Sequence, residues 1–525
     1  MLLKEYSGYR IFWGDIHTNV HGKDLFYPPL TLDRLKMTMD AAEEHLDFLP
    51  IAYYPFEWYS INGLIVESCG HRERFESEWK LVREVVKKAN KPGKFITFLG
   101  YEWHGDRRKY GDHNVYYFDD GPLDCSKTIE ELYANLRKNN GIAIPHHTGY
   151  QVGERGKDWN FFDEELSPVV EIYSSHGSSE GTDAPRFLDR NLDMGPGTSG
   201  GTILDGLNRG YKFGIIASGD NHEDFPGVWG NGLAAVFAKE LTKEAIWDAI
   251  KKRRVYGVTG DRIQLYFSIN GHIMGEVFDS QEATDINVEA IGGDAIDTIQ
   301  IVRNDKVIYA YFNYEKPLNL KEDSIKVKIR LQCGWGPTSS YGFKNLICKE
   351  LSGSFKVHDG EIISVEPCFT YFGQKIRPIS SRECNFTFRI QPRTQRHRAN
   401  LQGAIFEIKA NPESSIIIQV NTKTVEFSLK DAIERERIIA LIDESKLAIQ
   451  DNFGLKPEEI ENPDVFWHNA WKVRVSKAVP FERYHVKVNY VDNEIPKGEN
   501  YYYVRVIQSN GQMAWSSPIW IRNFT

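Results

Sequence analysis

Ten of the fifteen histidines in this 525-residue chain lie before position 223. Imidazole binds first-row metals and exchanges protons near neutral pH, so the asymmetry puts the chemistry in the N-terminal half. The histidines and their acidic neighbours also fall at particular places. His17 follows the apolar run Arg10-Ile-Phe-Trp13, and Glu102 and His104 follow Phe95–Leu99. His146 and His147 follow Ile142–Ile144, and Ser174, Ser175 and His176 follow Val169–Tyr173. Asp220 and His222 follow Phe213–Ala217. Neutral imidazoles and carboxylates arriving together from several strand ends make a ligand set for a divalent ion such as zinc, manganese or iron.

The elements that must bring these ends together are legible as alternating helices and strands. Residues Arg34–Leu46 put Leu35, Met39, Ala42 and Leu46 on one helical face. A second helix covers about Phe75–Lys88 and is ended by Lys91-Pro-Gly-Lys94. Thr128-Ile-Glu-Glu131 is a capping box opening a helix to about Lys138. Further helices are predicted over 202–208 and 242–253. Strands alternating with helices imply a parallel sheet, open or closed into a barrel, with function at the C-terminal strand ends. After about residue 260 the pattern changes to alternating runs: Arg262–Ser268, Thr298–Val302, Ser324–Leu331 and Tyr501–Gln508. One helical stretch, Leu429–Leu447, interrupts them. The expected division is an α/β region over 1–262 and a β-rich, sandwich-like region of one or two modules over 263–525. The second is expected to supply no metal ligand.

Composition narrows the partners. Lys plus Arg is 64 against 73 Asp plus Glu, a net charge of −9, which disfavours nucleic acid as a partner. No apolar run approaches the ~18 residues of a membrane span, and the first residues lack a secretory pattern. A cytoplasmic protein acting on a small-molecule substrate, with no nucleic acid and no membrane, is the expectation. Six cysteines are too sparse for a disulfide scaffold. Cys69, Cys125, Cys333, Cys348, Cys368 and Cys384 are expected to be reduced, although four of them between 333 and 384 would allow one or two bridges.

Four motifs, in order, resemble those of the PHP (polymerase and histidinol phosphatase) superfamily. They are Trp13-Gly-Asp-Ile-His-Thr-Asn19, then Gly100-Tyr-Glu-Trp103 followed by His113-Asn-Val-Tyr-Tyr117, then Ala143-Ile-Pro-His146, then Ala217-Ser-Gly-Asp-Asn-His222. The stretch from Trp247 to Asp261 and the ending from Tyr503 to Trp520 resemble the branch that includes carbaryl-type metallohydrolases. The resemblance implies a distorted (β/α)7 barrel with up to three metals at its mouth. Carried over by motif, His17, Glu102 and Asp220 hold one metal. Glu102 bridges to a second, also held by His113 and His146, and His222 belongs to a third. The sequence departs from the pattern twice. The opening His-x-His is His17-Thr-Asn19, and the Asp-His pair after the strand at 46–52 is Tyr53-Tyr54. Both changes remove ligands, so about two divalent ions (Zn, Mn or Fe) are expected, with His21 as a substitute ligand.

The resemblance implies a metal-dependent hydrolase acting on a phosphoester or related ester. The branch also admits carbamate, amide or carboxyl-ester substrates, and a degenerate barrel acting as a binding protein is the rival reading. Asp220, His147 and His176 form the candidate catalytic set, with His176 favoured over His147 as the proton donor. Glu171 would ligate a metal or orient a ligand. Arg107 and Arg108 are expected to neutralise an anionic substrate. Tyr54 is expected to contact substrate among the aromatic residues around the same strand ends.

Overall fold

The computed structural model describes residues 3–69, 72–190, 194–314, 323–393, 400–494 and 496–524. The chain forms two compact units. The first comprises Met1–Ile291, Ile296–Asn313 and Val486–Thr525, and the second Gly292–Ala295 and Tyr314–His485. Residues after 262 are therefore divided between the two units.

In the first unit the strands that carry the candidate residues are β1 (Arg10–Gly14), β2 (Thr18–His21), β3 (Ile51–Tyr54), β4 (Phe56–Ile61), β5 (Leu64–Cys69), β6 (Leu99–Trp103), β7 (His113–Tyr117), β8 (Gly141–Pro145), β9 (Val169–Ser174), β10 (Gly177–Ser178), β11 (Gly214–Ala217), β12 (Leu233–Ala238) and β13 (Val255–Val258). Helices Leu32–Glu43, Arg72–Ala89, Ile129–Asn139, Ile203–Asn208 and Lys243–Lys251 lie where the periodicity predicts them. Their starts have a common cause. Thr31, Thr128, Thr202 and Thr242 each accept a hydrogen bond from a first-turn amide, satisfying a donor that has no partner within the helix.

The fold is mixed α/β and sheet-rich, and the single closed barrel is not what forms. Among the described residues the strands fall into separate hydrogen-bonded sheets. β2, β3 and β6 run parallel, but β6, β7 and β8 are successively antiparallel. β9 and β11 are a parallel pair, with β10 antiparallel to β9. β1, β12 and β13 are antiparallel. The β6–β7 connection explains part of this. A parallel crossover needs about a dozen residues or more, and Trp103 and His113 are joined through one short helix, Arg107–Tyr110. β9 and β11 bury both faces, with Val169, Val170, Ile172, Ile215 and Ile216 all fully inaccessible, as expected for parallel strands.

The sheet of β1, β12 and β13 does not stop there. β13 pairs with Met513–Ser516, which pairs with Gly498–Gln508, which in turn pairs with Ile296–Arg303. In the second unit, a six-stranded and a five-stranded sheet share one apolar core. Phe355 and Phe406, one from each sheet, stack at 4.0 Å. The helical stretch predicted over 429–447 is two helices, Leu429–Glu434 and Ile442–Phe453, separated by a strand at Arg437–Ala440. Cys125, Cys333, Cys348, Cys368 and Cys384 are all thiols, so the bridges considered for 333–384 are not formed; the Cys69 side chain lies outside the described residues. Among the described residues no helix is long and apolar enough to cross a membrane.

Candidate metal centre

Asp15 fastens the centre together. Its Oδ1 accepts from the amides of His17 (3.0 Å) and Gly219 (2.8 Å). Its Oδ2 accepts from Thr18 Oγ1 and the Gly227 amide, each at 2.8 Å. One buried carboxylate thus ties the loop after β1 to the loop after β11, which brings His17 to Asp220. Asp220 and His147 both take left-handed backbone conformations, with φ of 45° and 34°. Such angles are uncommon outside glycine and cluster at functional sites.

His17 Nδ1 meets Glu171 Oε2 at 2.9 Å, and Ser218 Oγ donates to the same oxygen at 2.5 Å. The other ring nitrogen, Nε2, is turned to Glu102 Oε2 (3.6 Å) and Asp220 Oδ1 (3.5 Å). Glu102 Oε1 lies 3.4 Å from His146 Nε2 and 2.5 Å from His104 Nε2. The two oxygens of Glu102 therefore face different imidazoles. The triples His17–Glu102–His146, His17–Glu171–Asp220 and His147–His176–Asp220 each hold their ligand atoms within 4.8 Å of one another.

These residues fit divalent ions. His17 Nε2, Glu102 Oε2, His146 Nε2 and Glu171 Oε1 are buried and have no hydrogen-bond partner. Each such atom costs roughly 1–3 kcal/mol, and a cation among them would satisfy them together. The proton affinities agree. Burial works against charging His17, yet Asp220 and Glu171 hold its pKa well above the ordinary histidine value. Burial also opposes ionising Glu102, yet His104, His146 and His17 keep it well below the usual carboxylate range. Around His17 and Glu102 the arrangement favours positive charge.

Several expected roles are not those the structure supports. β6 and β7 pair so that Glu102 lies opposite Asn114, and Trp103 opposite His113. Opposed residues share a face and neighbours alternate. His113 therefore faces away from Glu102, with its ring 5.7 Å from Trp103 and its Nε2 3.3 Å from Lys157 Nζ. Asn114 takes the Glu102 face, and its buried Oδ1 has no partner. Tyr54, expected to contact substrate, donates its hydroxyl to Glu67 Oε2 at 2.9 Å. Arg107 is a buttress, donating to Asp112 (2.9 and 2.8 Å) and to Glu67 (3.0 Å). Arg108 is 74% exposed and lies 3.8 Å from Glu154. His222 stands at the rim, 3.7 Å from Asp220 and 2.7 Å from His21 Nε2. His21 stacks on Tyr27 at 4.0 Å.

The two candidate proton donors differ. His176 has Tyr150 Oη 2.8 Å from Nδ1 and Asp220 Oδ2 3.1 Å from Nε2. His147 Nδ1 is buried without a hydrogen-bond partner, and its Nε2 lies 3.5 Å from Asp112 Oδ2. β8 ends at Pro145, so strand alternation does not govern where His147 points. Asp15, Glu67, Asp112, Asn114 and Tyr150 escaped the sequence reading. Asp15 and Asn114 had a signal, their places inside the Trp13–Asn19 and His113–Tyr117 motifs.

A family model for proteins of unknown function (DUF3604) matches residues 40–147 and 227–293. An uncharacterized protein of Chlamydia pneumoniae is 28% identical over 270 residues, covering 47% of this chain and 43% of that protein. One from Chlamydia trachomatis serovar D is 26% identical over 266 residues, covering 45% and 42%. The alignments thus span less than half the length of these curated relatives. A solved two-domain protein from Bacteroides vulgatus, described as containing a predicted PHP-like metal-dependent phosphoesterase, is 14% identical with a TM-score of 0.33. That alignment covers 56% of this chain and 80% of the solved one.

Proposed function

We propose that the protein is a metal-dependent hydrolase of a phosphoester or related ester, as its PHP-like motifs imply. The observation that carries this reading is the convergence of buried, partnerless imidazole and carboxylate atoms at His17, Glu102, His146 and Glu171. His17, Glu102 and Asp220 would hold one divalent ion, and Glu102 with His146 a second. Bound ions of this kind lower the pKa of water and polarise an ester oxygen. The chain's own residues do the rest. With the extra proton that this site favours on His17 displaced by a bound ion, Glu171 would accept from Nδ1–H and leave the Nε2 lone pair facing the centre. His176, held by Tyr150, steadies Asp220. His147 has an unengaged ring nitrogen, and burial with His146 and His176 beside it holds its pKa well below the ordinary histidine value. It therefore rests neutral and would take a proton from the attacking water before giving one to a leaving oxygen.

A second reading concerns the substrate. Arg107 is already neutralised by Asp112 and Glu67, and the aromatic rings of Tyr54, Phe56 and Trp58 crowd the neighbouring wall. An aromatic wall beside an already paired Arg107 suits a carbamate or carboxyl ester better than a multiply charged phosphate.

The test strips the full chain with chelator, restores zinc, manganese or iron, and assays nitrophenyl phosphate, bis-nitrophenyl phosphate, nitrophenyl acetate and an aryl carbamate. Metal-restored turnover on at least one of these, abolished by Glu102→Gln, is expected. No metal-dependent turnover on any of them would overturn the proposal.

A further inference from the structure

The second unit contains a cavity of about 650 Å³, within the ~300–1,000 Å³ of small-molecule sites. Its walls combine aromatic faces with cations. Trp467 is 43% exposed and Tyr341 38%, and Trp335 completes the aromatic lining. Trp335 ends its strand with φ of 64°, a left-handed conformation that costs a bulky residue roughly 1–3 kcal/mol and directs the chain into the Gly336 turn.

The charges are unbalanced. Arg393 is 9% exposed, and its Nε is buried without a hydrogen-bond partner. Lys472 is also 9% exposed, and its ammonium donates only to the carbonyls of Trp467 and Ala470 among the described residues. Burial and nearby Arg393 outweigh Asp464 and push the Lys472 ammonium, which lies 5.0 Å from the Trp467 ring centroid, down to about 8. Elsewhere on the wall the charges are matched: Arg474 pairs with Glu436 at 2.5 Å, and His468 with Asp464 at 2.8 Å. Two buried cations side by side call for an oxyanion, and a guanidinium suits carboxylate, sulfate or phosphate.

We infer that this cavity binds an acidic saccharide, with its oxyanion at Arg393 and Lys472 and its rings against Trp335 and Trp467. Asp464, half-exposed on the wall and paired with His468, can accept hydrogen bonds from sugar hydroxyls. The aromatic faces pack on the apolar C–H faces of sugar rings.

Tryptophan fluorescence and calorimetry on the full chain would compare trigalacturonate, maltotriose and adenosine monophosphate. Trigalacturonate should bind, weakening with added salt, and maltotriose should bind at least about tenfold more weakly. Arg393→Gln and Trp467→Ala should each weaken trigalacturonate about tenfold or more. Trp467 is partly exposed, so its variant serves even if Arg393→Gln fails to fold. Three results would each overturn the inference: no binding of trigalacturonate at millimolar concentration, affinity unchanged in Trp467→Ala, or tighter binding of the nucleotide than of the sugar.

Discussion

His17 Nδ1 lies 2.9 Å from Glu171 Oε2, and this contact decides which ring nitrogen faces the cluster. A neutral imidazole carries one N–H. With that hydrogen given to Glu171, Nε2 presents a lone pair towards Glu102 and Asp220. Glu171→Gln keeps the size and loses the charge that fixes this tautomer. Metal affinity, measured by competition with a chelating dye, should fall about 10- to 100-fold. An unchanged affinity would show that His17 is oriented by other means.

Glu102 should control two ions at once, because its two oxygens face His17 and His146 separately. Elemental analysis of the native protein should give about two divalent ions per chain, since Asn19 and Tyr54 stand where two ligands of the motif pattern would be. Glu102→Gln should lose both. Three tightly held ions, or the loss of only one in the variant, would contradict this assignment.

His147 and His176 should separate by substrate. His147→Ala should lower turnover of an alkyl ester by about 10²–10⁴-fold, with little effect on a nitrophenyl ester whose leaving group needs no proton. His176→Ala should act on metal retention, because its contacts run to Asp220 and Tyr150. The opposite pattern would exchange the two roles and restore the preference for His176 drawn from sequence.

Glu180 is fully buried and accepts from Tyr503 (2.6 Å), Arg505 (2.5 and 3.1 Å) and Trp515 (2.7 Å). It lies just after the loop that carries His176. Removing one partner of a buried ion pair costs about 3–5 kcal/mol, whereas apolar replacement of both is far milder. Glu180→Leu should therefore unfold at markedly lower denaturant concentration, and adding Arg505→Met should recover much of the loss. If the double variant is no better than the single one, the pair is not coupled. The sequence suggests that residues 1–262 hold the ligand set unaided. These contacts predict that a chain cut before residue 486 loses the His176 loop, which metal retention by the shortened chain would disprove.

Burial lowers the Lys157 pKa from 10.5 to about 7. Between those values the unfolded chain binds more protons than the folded one, so this group makes stability rise with pH. Its penalty is full below about pH 7 and fades towards pH 10.5. Denaturant unfolding from pH 7 to 9 should show a steeper rise for the native protein than for Lys157→Met. Parallel curves would mean that Lys157 stays charged when folded.

The candidate site was legible where side chains follow directly from a strand end. His17, Glu102, His146 and Asp220 each come straight after or at the end of an apolar run, and they converge. His113 was misread because its direction depends on whether β7 runs with or against β6, a pairing that no local pattern states. Arg107 was misread because its partners, Glu67 and Asp112, are acidic residues in unremarkable stretches, and only folding places them around it. The barrel expectation failed for a related reason. Helix and strand periodicities mark elements but not the short connection from Trp103 to His113 that reverses the sheet.

The extension of β13 onto Met513–Ser516 also sets a timetable. Gly257 pairs with Trp515, so this edge lacks its neighbour until the chain has been made as far as Trp515. At ~5–20 residues per second, the wait on the ribosome is on the order of 10–50 seconds. During that interval β13 presents an open edge, the feature that invites pairing with other chains. Synthesis speed and chaperone supply should therefore govern the yield of native protein more strongly than the stability of the finished fold.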